Sequence, residues 1–130
     1  KNRVTGQLYA MKWIRKDVVI KYEVLENTLI ERKILSTINH PLLLSLDFVY
    51  ESEYWYYFIM EFVNGGNLYE NMRKVGRFPE DTVKFYIAQI VLALEVLHKM
   101  RIMHRDLKPE NVLICEDGYI KLADFGLSTF

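Results

Sequence analysis

The chain has 130 residues, about the length of one domain, and 51% of them are hydrophobic, which is enough for a packed core. Lys and Arg number 17, as do Asp and Glu, so the balanced charge gives no general attraction to nucleic acids or anionic membranes. The single cysteine, Cys115, excludes an internal disulfide and is typical of a reducing compartment, and no apolar run is long enough to span a membrane.

The first part of the chain shows the patterns of three strands and one helix. The strands are short runs rich in apolar and aromatic residues, and we predict them at Gln7 to Ile14, Leu46 to Tyr50 and Tyr54 to Met60. Side chains alternate along a strand, so Ala10 and Lys12 share one face of the first one. Leu25 to Ile38 has the three- and four-residue apolar spacing of a helix, which ends before Pro41.

The second part of the chain is mainly helical and follows a glycine-containing joint at Asn64 to Asn67. We predict a short helix at Asn67 to Val75, a long helix at Pro79 to Met100, and a hairpin formed by Val112 to Ile114 and Tyr119 to Ala123. Two structural units that meet at Glu61 to Gly66 are therefore expected, with a ligand crevice between them.

Two polar motifs carry the strongest functional signal. The first runs from His104 to Asn111 between a predicted helix and strand, and the second, Asp124-Phe125-Gly126, follows the next strand. In this order and spacing they resemble the catalytic and metal-binding loops of Ser/Thr protein kinases. Solvated loop charges would explain any one of these residues, but they do not explain both motifs, each beside its expected strand.

The resemblance implies a role for each polar residue of these motifs. Asp106 would orient and deprotonate a substrate hydroxyl, and Lys108 would contact the transferring phosphate. Asn111 and Asp124 would bind Mg²⁺ through oxygen atoms, the ligands that Mg²⁺ prefers. These roles suit phosphoryl transfer from ATP, which requires charge neutralisation and a proton acceptor. Lysine at position 108 is similar to the pattern of kinases that act on serine or threonine, so the implied acceptor is a Ser or Thr hydroxyl in a protein substrate.

Lys12 and Glu31 place two charges on apolar faces. Lys12 ends Tyr9-Ala10-Met11-Lys12, which resembles the strand motif that carries the kinase lysine. By the same resemblance, Glu31 is its ion-pair partner and the pair positions the nucleotide phosphates. A purely structural alternative remains open, since Thr28 to Glu31 also has the spacing of a helix capping box.

The resemblance also implies a nucleotide pocket beside the joint. Ala10 and Leu113 would sandwich the adenine, with Met60 at the back of the pocket and the backbone of Glu61 and Val63 on the adenine edge. Many relatives in the AGC group, which this chain resembles most, have an acid where this chain has Asn67. Asn67 can still hydrogen-bond ribose, but it offers no charge to a basic peptide. Glu110 remains available for that purpose, so basic residues upstream of the acceptor are an expectation.

The expected fold is an α+β, protein-kinase-like two-lobe fold in partial form. Residues 1–60 would form an N-lobe with a small antiparallel sheet and one helix, but without the glycine-rich loop that covers phosphates in kinases. Residues 61–66 would be the hinge, and residues 67–130 the mainly helical first part of the C-lobe, to just past Asp-Phe-Gly. A cytoplasmic location, with the nucleus as an alternative, is expected.

Three functions stay open from the sequence. The first is ATP-dependent phosphorylation of Ser/Thr within an intact kinase domain, with weak or no activity expected for residues 1–130 alone. The second is a truncated, non-catalytic module that binds nucleotide or a partner. The third is a purely structural domain, for which Lys12, Glu31, Asp106, Asn111 and Asp124 would be dispensable for ligand binding.

Overall fold

A three-stranded antiparallel sheet forms the first unit of the chain. The computed structural model describes residues 1–21 and 25–130, and its first sheet consists of β1 (Tyr9–Arg15), β2 (Leu46–Glu51) and β3 (Trp55–Glu61). The strand order is β1-β3-β2, with β3 in the centre. Ala10 lies opposite Met60 and Lys12 lies opposite Phe58. Because side chains alternate, Ala10 and Lys12 share the inner face of the sheet, while Met11 and Trp13 are exposed.

Two helices, rather than the one that was predicted, connect β1 to β2. Helix α1 (Lys16–Lys21) follows β1 directly, and helix α2 (Leu25–Thr37) carries the buried side chains Glu31, Ile34 and Leu35. The prediction missed α1 because six residues give too little periodicity to separate a helix from a strand, and Val and Ile favour strands. Val19 anchors α1, since only 1% of its surface is exposed.

The second unit begins with two helices. Helix α3 (Leu68–Val75) starts after Asn67, and helix α4 (Glu80–Lys99) starts after Pro79. Both prolines and asparagines are favourable at helix starts, so the predicted helices are present with slightly shorter limits. A 3₁₀ turn (Pro109–Asn111) then leads into the hairpin of β4 (Val112–Ile114) and β5 (Ile120–Leu122). No helix in the described part of the chain is long and apolar enough to cross a membrane.

Main-chain hydrogen bonds join the two units. The Leu44 amide donates to the Leu122 carbonyl, and the Leu122 amide donates to the Leu42 carbonyl, each at 2.9 Å. At the joint, the Gly65 amide donates to the Ile114 carbonyl at 2.9 Å. A methyl group at position 65 would lie 2.2 Å from the Ile114 carbonyl oxygen, so this close approach requires glycine.

One hydrophobic core runs through both units. Phe58 from the sheet, Leu35 from α2, Leu97 from α4 and Phe125 after β5 are all almost fully buried within it. Burial of this apolar surface is the main force that fixes the sheet and helices against each other. The predicted α+β architecture, a small antiparallel sheet followed by a mainly helical unit, is confirmed.

Candidate active site

The first cluster of the site joins β1 to α2. Lys12 Nζ lies 2.6 Å from Glu31 Oε1, and the Glu31 side chain is only 5% exposed while that of Lys12 is 38% exposed. The pair therefore lies at the edge of the core with the ammonium group facing the crevice. Thr28 lies inside α2 rather than before it, so the capping-box alternative for Glu31 is wrong.

Asp124 and Gly126 complete this cluster. Asp124 Oδ1 lies 3.8 Å from Lys12 Nζ and accepts a hydrogen bond from the Gly126 amide at 3.3 Å. A methyl group at position 126 would lie 3.2 Å from Asp124 Oδ1, 3.7 Å from Glu31 Oε2 and 3.8 Å from Lys12 Nζ. Glycine at this position therefore keeps space open beside three charged groups.

The second cluster lies in the loop after α4. Asp106 Oδ2 accepts a hydrogen bond from Lys108 Nζ at 2.7 Å and another from Asn111 Nδ2 at 2.9 Å. Asn111 Nδ2 also donates to the Asp106 carbonyl at 2.8 Å. Three of the predicted site residues thus form one network, in which the Asp106 carboxylate is fixed in orientation and still only partly buried.

The network favours the ionised form of Asp106. The hydrogen bond from Lys108 lowers the pKa of Asp106 below its ordinary value, and partial burial opposes this while Asn111 adds to it. The same hydrogen bond raises the pKa of Lys108. At neutral pH the carboxylate is therefore charged and accepts hydrogen bonds, whereas the ammonium group remains a cation.

His104 holds the loop in place. Its Nε2 lies 3.1 Å from the Ala123 carbonyl, and its Nδ1 accepts a hydrogen bond from the Asp106 amide at 3.3 Å. These two bonds require the neutral tautomer with the proton on Nε2. The ring also packs against Phe125, with centroids 5.2 Å apart. His104 is therefore a packing residue that connects the two clusters.

Backbone strain coincides with both motifs. Arg105 and Asp124 have φ values of 63° and 61°, in the left-handed region that residues other than glycine rarely adopt. Arg105 is held there by a hydrogen bond from its Nε to the Leu127 carbonyl at 2.6 Å. The Ala123 amide donates to the Asn111 carbonyl at 2.9 Å, which ties the two motifs together. Such strain persists only where surrounding contacts fix the backbone, as they often do at functional sites.

The predicted nucleotide-pocket residues surround the crevice. Ala10 and Met60 are opposite each other on β1 and β3, and Leu113 lies on β4 in the other unit. Val63 packs at the edge of the core, between the sheet and α3. The residues therefore come from both sides of the joint, as a pocket between two units requires.

Asn67 has a structural role that the sequence analysis did not assign. Its Oδ1 accepts a hydrogen bond from the Glu70 amide at 2.8 Å and so caps the start of α3. Asn67 also forms an isolated bridge with Leu113 on β4. The cap occupies the side-chain oxygen, so the Nδ2 amide is the group left to contact a ligand.

Asn111 and Asp124 fit a magnesium ion that is shared with phosphate groups. Because Asn111 Nδ2 is used by Asp106, its Oδ1 is the atom that can face a cation. Among the described residues no group of three or more His, Cys, Asp or Glu side chains is placed to hold a metal. A site with two oxygen ligands suits Mg²⁺, which usually keeps waters and binds substrate phosphates as well.

One ion pair close to the site had no signal in the sequence. Lys121 Nζ lies 2.8 Å from Glu61 Oε1, and both side chains are partly buried. The pair connects the end of β3 with β5, although the residues are 60 positions apart. The Glu61 side chain therefore points to the hairpin, while its backbone remains at the edge of the predicted adenine pocket. Cys115, close by, is unreactive in character, because burial raises the pKa of its thiol.

Comparison with known families and proteins agrees with this geometry. The family model described as "Protein kinase domain" matches residues 1–130. The chain is 47% identical over 123 residues to a RAC family serine/threonine-protein kinase homolog from Dictyostelium discoideum, which covers 95% of this chain and 28% of that protein. It is also 45% identical over 127 residues to serine/threonine-protein kinase akt-1 from Caenorhabditis elegans, covering 98% of this chain and 24% of that protein.

A third relative is similar in the same way. The putative ribosomal protein S6 kinase alpha-1 from Caenorhabditis elegans is 44% identical over 128 residues, which is 98% of this chain and 16% of that protein. The chain thus spans little more than a quarter of the length of the first of these relatives and less of the others.

Proposed function

The chain belongs to the protein kinase family, and we propose that it serves, as part of an intact kinase domain, to transfer the γ-phosphoryl group of ATP to serine or threonine in protein substrates. The relatives of the chain are named serine/threonine-protein kinases, which supports this acceptor class. The proposal rests above all on one observation: two separate clusters of charged groups converge on the same crevice and are tied by the Asn111–Ala123 hydrogen bond.

Each cluster would perform a different part of the transfer. Lys12, held by Glu31 at 2.6 Å, supplies a fixed positive charge for the phosphates of ATP. Asp106, charged at neutral pH, accepts a hydrogen bond from the substrate hydroxyl and aims its oxygen at the phosphorus. Lys108, beside Asp106, faces the negative charge that develops on the transferring group.

A lowered pKa makes Asp106 a weak base in the ground state. Its carboxylate therefore serves first to orient the hydroxyl, and takes the proton only as the new phosphorus–oxygen bond forms. Mg²⁺, when bound by Asn111 and Asp124, would neutralise phosphate charge during this step. Positioning and electrostatic stabilisation, rather than covalent catalysis, would supply most of the rate enhancement.

Substrate preference is a second part of the proposal. Glu110 is exposed at the 3₁₀ turn next to the catalytic loop, and α3 packs against that turn. An acid at this position favours a basic residue before the acceptor serine or threonine. A peptide array with arginine placed at each upstream position tests this preference, and a profile indifferent to upstream arginine would contradict it.

Phosphoamino acid analysis tests the proposed reaction. The full-length protein is incubated with Mg²⁺, γ-labelled ATP and a mixed pool of Ser, Thr and Tyr peptides. Label on phosphoserine and phosphothreonine is expected, and label only on phosphotyrosine would contradict the acceptor class. Thermal denaturation with and without Mg·ATP separates the alternatives, since stabilisation without transfer indicates a non-catalytic nucleotide-binding module.

A further inference from the structure

A groove lies on the opposite side of the β4–β5 hairpin from the active-site crevice. Its main cavity has a volume of about 700 Å³ and is lined by the segment after α2, by α4 and by the hairpin. A second cavity of about 410 Å³ adjoins it at the joint and shares Cys115 and Asp117 with it. We call these two cavities together the rear groove. None of Lys12, Asp106 or Asp124 lines it.

The walls of the rear groove are apolar and partly exposed. Leu42 is buried at its floor, whereas Leu92 on α4 is 51% exposed and Tyr119 on the hairpin is 53% exposed. Val96 lies one helical turn after Leu92 and completes the same wall. The volume of the main cavity is within the range of ligand-binding clefts, so it has room for more than one apolar side chain.

The charge on the rim of the groove is negative. Lys121 is neutralised by Glu61 at 2.8 Å, and Glu95 is neutralised by Lys99 at 2.6 Å. Asp117 and Glu116 remain, and neither has a cationic partner within ion-pair distance in the described part of the chain. Their contacts are hydrogen bonds from the Tyr119 amide to Asp117 at 3.0 Å and from Asn64 to Glu116 at 3.3 Å.

We propose that the rear groove docks an extended segment of a partner protein that carries two or more apolar side chains and adjacent arginine or lysine residues. Apolar side chains would fill the space between Leu42, Leu92 and Val96, and the basic residues would meet Asp117 and Glu116. The negative rim disfavours anionic ligands such as nucleotides and acidic lipids. An extended segment suits a site that continues from one cavity into the next.

This docking is independent of phosphoryl transfer in its binding energy. A partner held at the rear groove would have a high effective concentration near the crevice, so docking would lower the KM of a substrate that carries the segment while leaving kcat unchanged. The rear groove would then select partners by a sequence other than the one that surrounds the acceptor residue.

A peptide array measures docking directly. The probes are fluorescein-labelled peptides with two leucines two positions apart and two arginines one to five residues before them, and the controls have glutamates in place of the arginines. Fluorescence anisotropy with the full-length protein should show binding of at least one basic peptide that is about tenfold or more tighter than its acidic counterpart. Equal binding of the two sets, or no binding of either, would overturn the proposal.

Three substitutions locate the bound peptide. Val96→Trp fills the main cavity and should weaken binding about tenfold or more. The isosteric pair Asp117→Asn with Glu116→Gln removes the rim charge, keeps both hydrogen bonds and should weaken binding about fivefold. The matched control, Glu53→Gln, changes an exposed acid on the β2–β3 turn and should have no effect. Binding that is unchanged in Val96→Trp would contradict docking in this groove.

Folding and nucleotide binding are checked separately. If Val96→Trp denatures at a lower temperature than the wild type by circular dichroism, Leu92→Glu at an exposed wall position takes its place. Mg·ATP should stabilise all variants equally, because their substitutions lie away from the crevice. Loss of peptide binding with intact nucleotide binding supports the rear groove, whereas intact peptide binding without nucleotide binding would count against the proposed kinase function alone.

Discussion

The two clusters of the candidate active site are assembled in different ways. Asp106, Lys108 and Asn111 lie within six residues of one another, and local hydrogen bonds fix their geometry. Lys12 and Glu31 lie on different elements and meet Asp124, more than a hundred residues later, only because the whole fold brings them together. The first cluster is therefore set by a short sequence, whereas the second is set by the position of α2.

This difference predicts which half of the site is easier to disturb. A local loop stays formed as long as α4 and β4 hold its ends. The Lys12–Glu31 distance instead depends on the packing of α2, which uses Ile34 and Leu35 to reach the core. Small displacements of α2 would separate the pair without unfolding either unit, so substitutions in the second cluster test the tertiary arrangement.

The largest effect is expected for Lys12→Met. The substitution keeps the aliphatic stem but removes the charge that positions the phosphates, so kcat/KM should fall about 10²- to 10³-fold. It also leaves Glu31 buried without its partner, which should lower the free energy of unfolding by about 1–3 kcal/mol. Steady-state kinetics and urea denaturation measure the two effects. The exposed lysine variant Lys84→Met is the control and should change neither, and an equal loss in both variants would contradict the account.

A smaller effect is expected for Glu31→Gln. Glutamine keeps the volume and one hydrogen-bond acceptor, but it holds the Lys12 ammonium group less firmly, so kcat/KM should fall about 10- to 100-fold. Stability should change less than in Lys12→Met, because the buried group of the variant is neutral. The sharpest comparison is the order of the two variants in chemical denaturation. If Glu31→Gln proves the less stable of the two, the assignment of the buried charge is wrong.

Gly65→Ala tests the joint that supports both clusters. Its methyl group would lie 2.2 Å from the Ile114 carbonyl oxygen, so the backbone must shift, at a cost of about 1–3 kcal/mol. Gly76→Ala is the matched control, because its φ of 81° is also unfavourable for alanine while nothing lies within 4 Å of the new methyl group. Thermal denaturation should show the larger loss for Gly65→Ala. A larger loss for Gly76→Ala would mean that the close approach is not tight.

The smallest effect is expected for Lys108→Met and concerns the pKa of Asp106. The Lys108 hydrogen bond lowers this pKa, so the wild-type carboxylate stays ionised to a lower pH than an ordinary Asp. Without Lys108 the pKa should rise toward its ordinary value, and protonation should begin at a higher pH. Carbon-13 NMR titration of the Asp106 carboxyl group measures this shift, and a titration curve unchanged in the variant would contradict the role of Lys108.

The local cluster was the part of the site that the sequence predicted best. The motif from His104 to Asn111 identified its residues because they are neighbours in the chain, and the long helix before it had clear periodicity. The fold class and the main strands and helices were also predictable, with limits that differ by one or two residues. Short elements were harder, as the missed helix α1 shows, since six residues carry little pattern.

Contacts between distant residues were the least predictable part. The Lys121–Glu61 ion pair joins positions 60 residues apart, and the approach of Gly65 to Ile114 joins the joint to the hairpin. No local pattern encodes either contact, because each arises from the packing of the two units. The Lys12–Glu31 pair was an exception only because a family resemblance supplied the partner.

Phosphate transfer by the Asp106→Asn variant of the full-length protein tests the central claim most directly. Asparagine keeps the size of the side chain but removes the charged acceptor for the substrate hydroxyl. With saturating Mg·ATP and a serine peptide, the account predicts a kcat about 10³-fold below that of the wild type, with unchanged stabilisation by Mg·ATP. A variant that transfers phosphate as fast as the wild type would contradict the assignment of Asp106, and with it the proposal that the two clusters form one site for phosphoryl transfer.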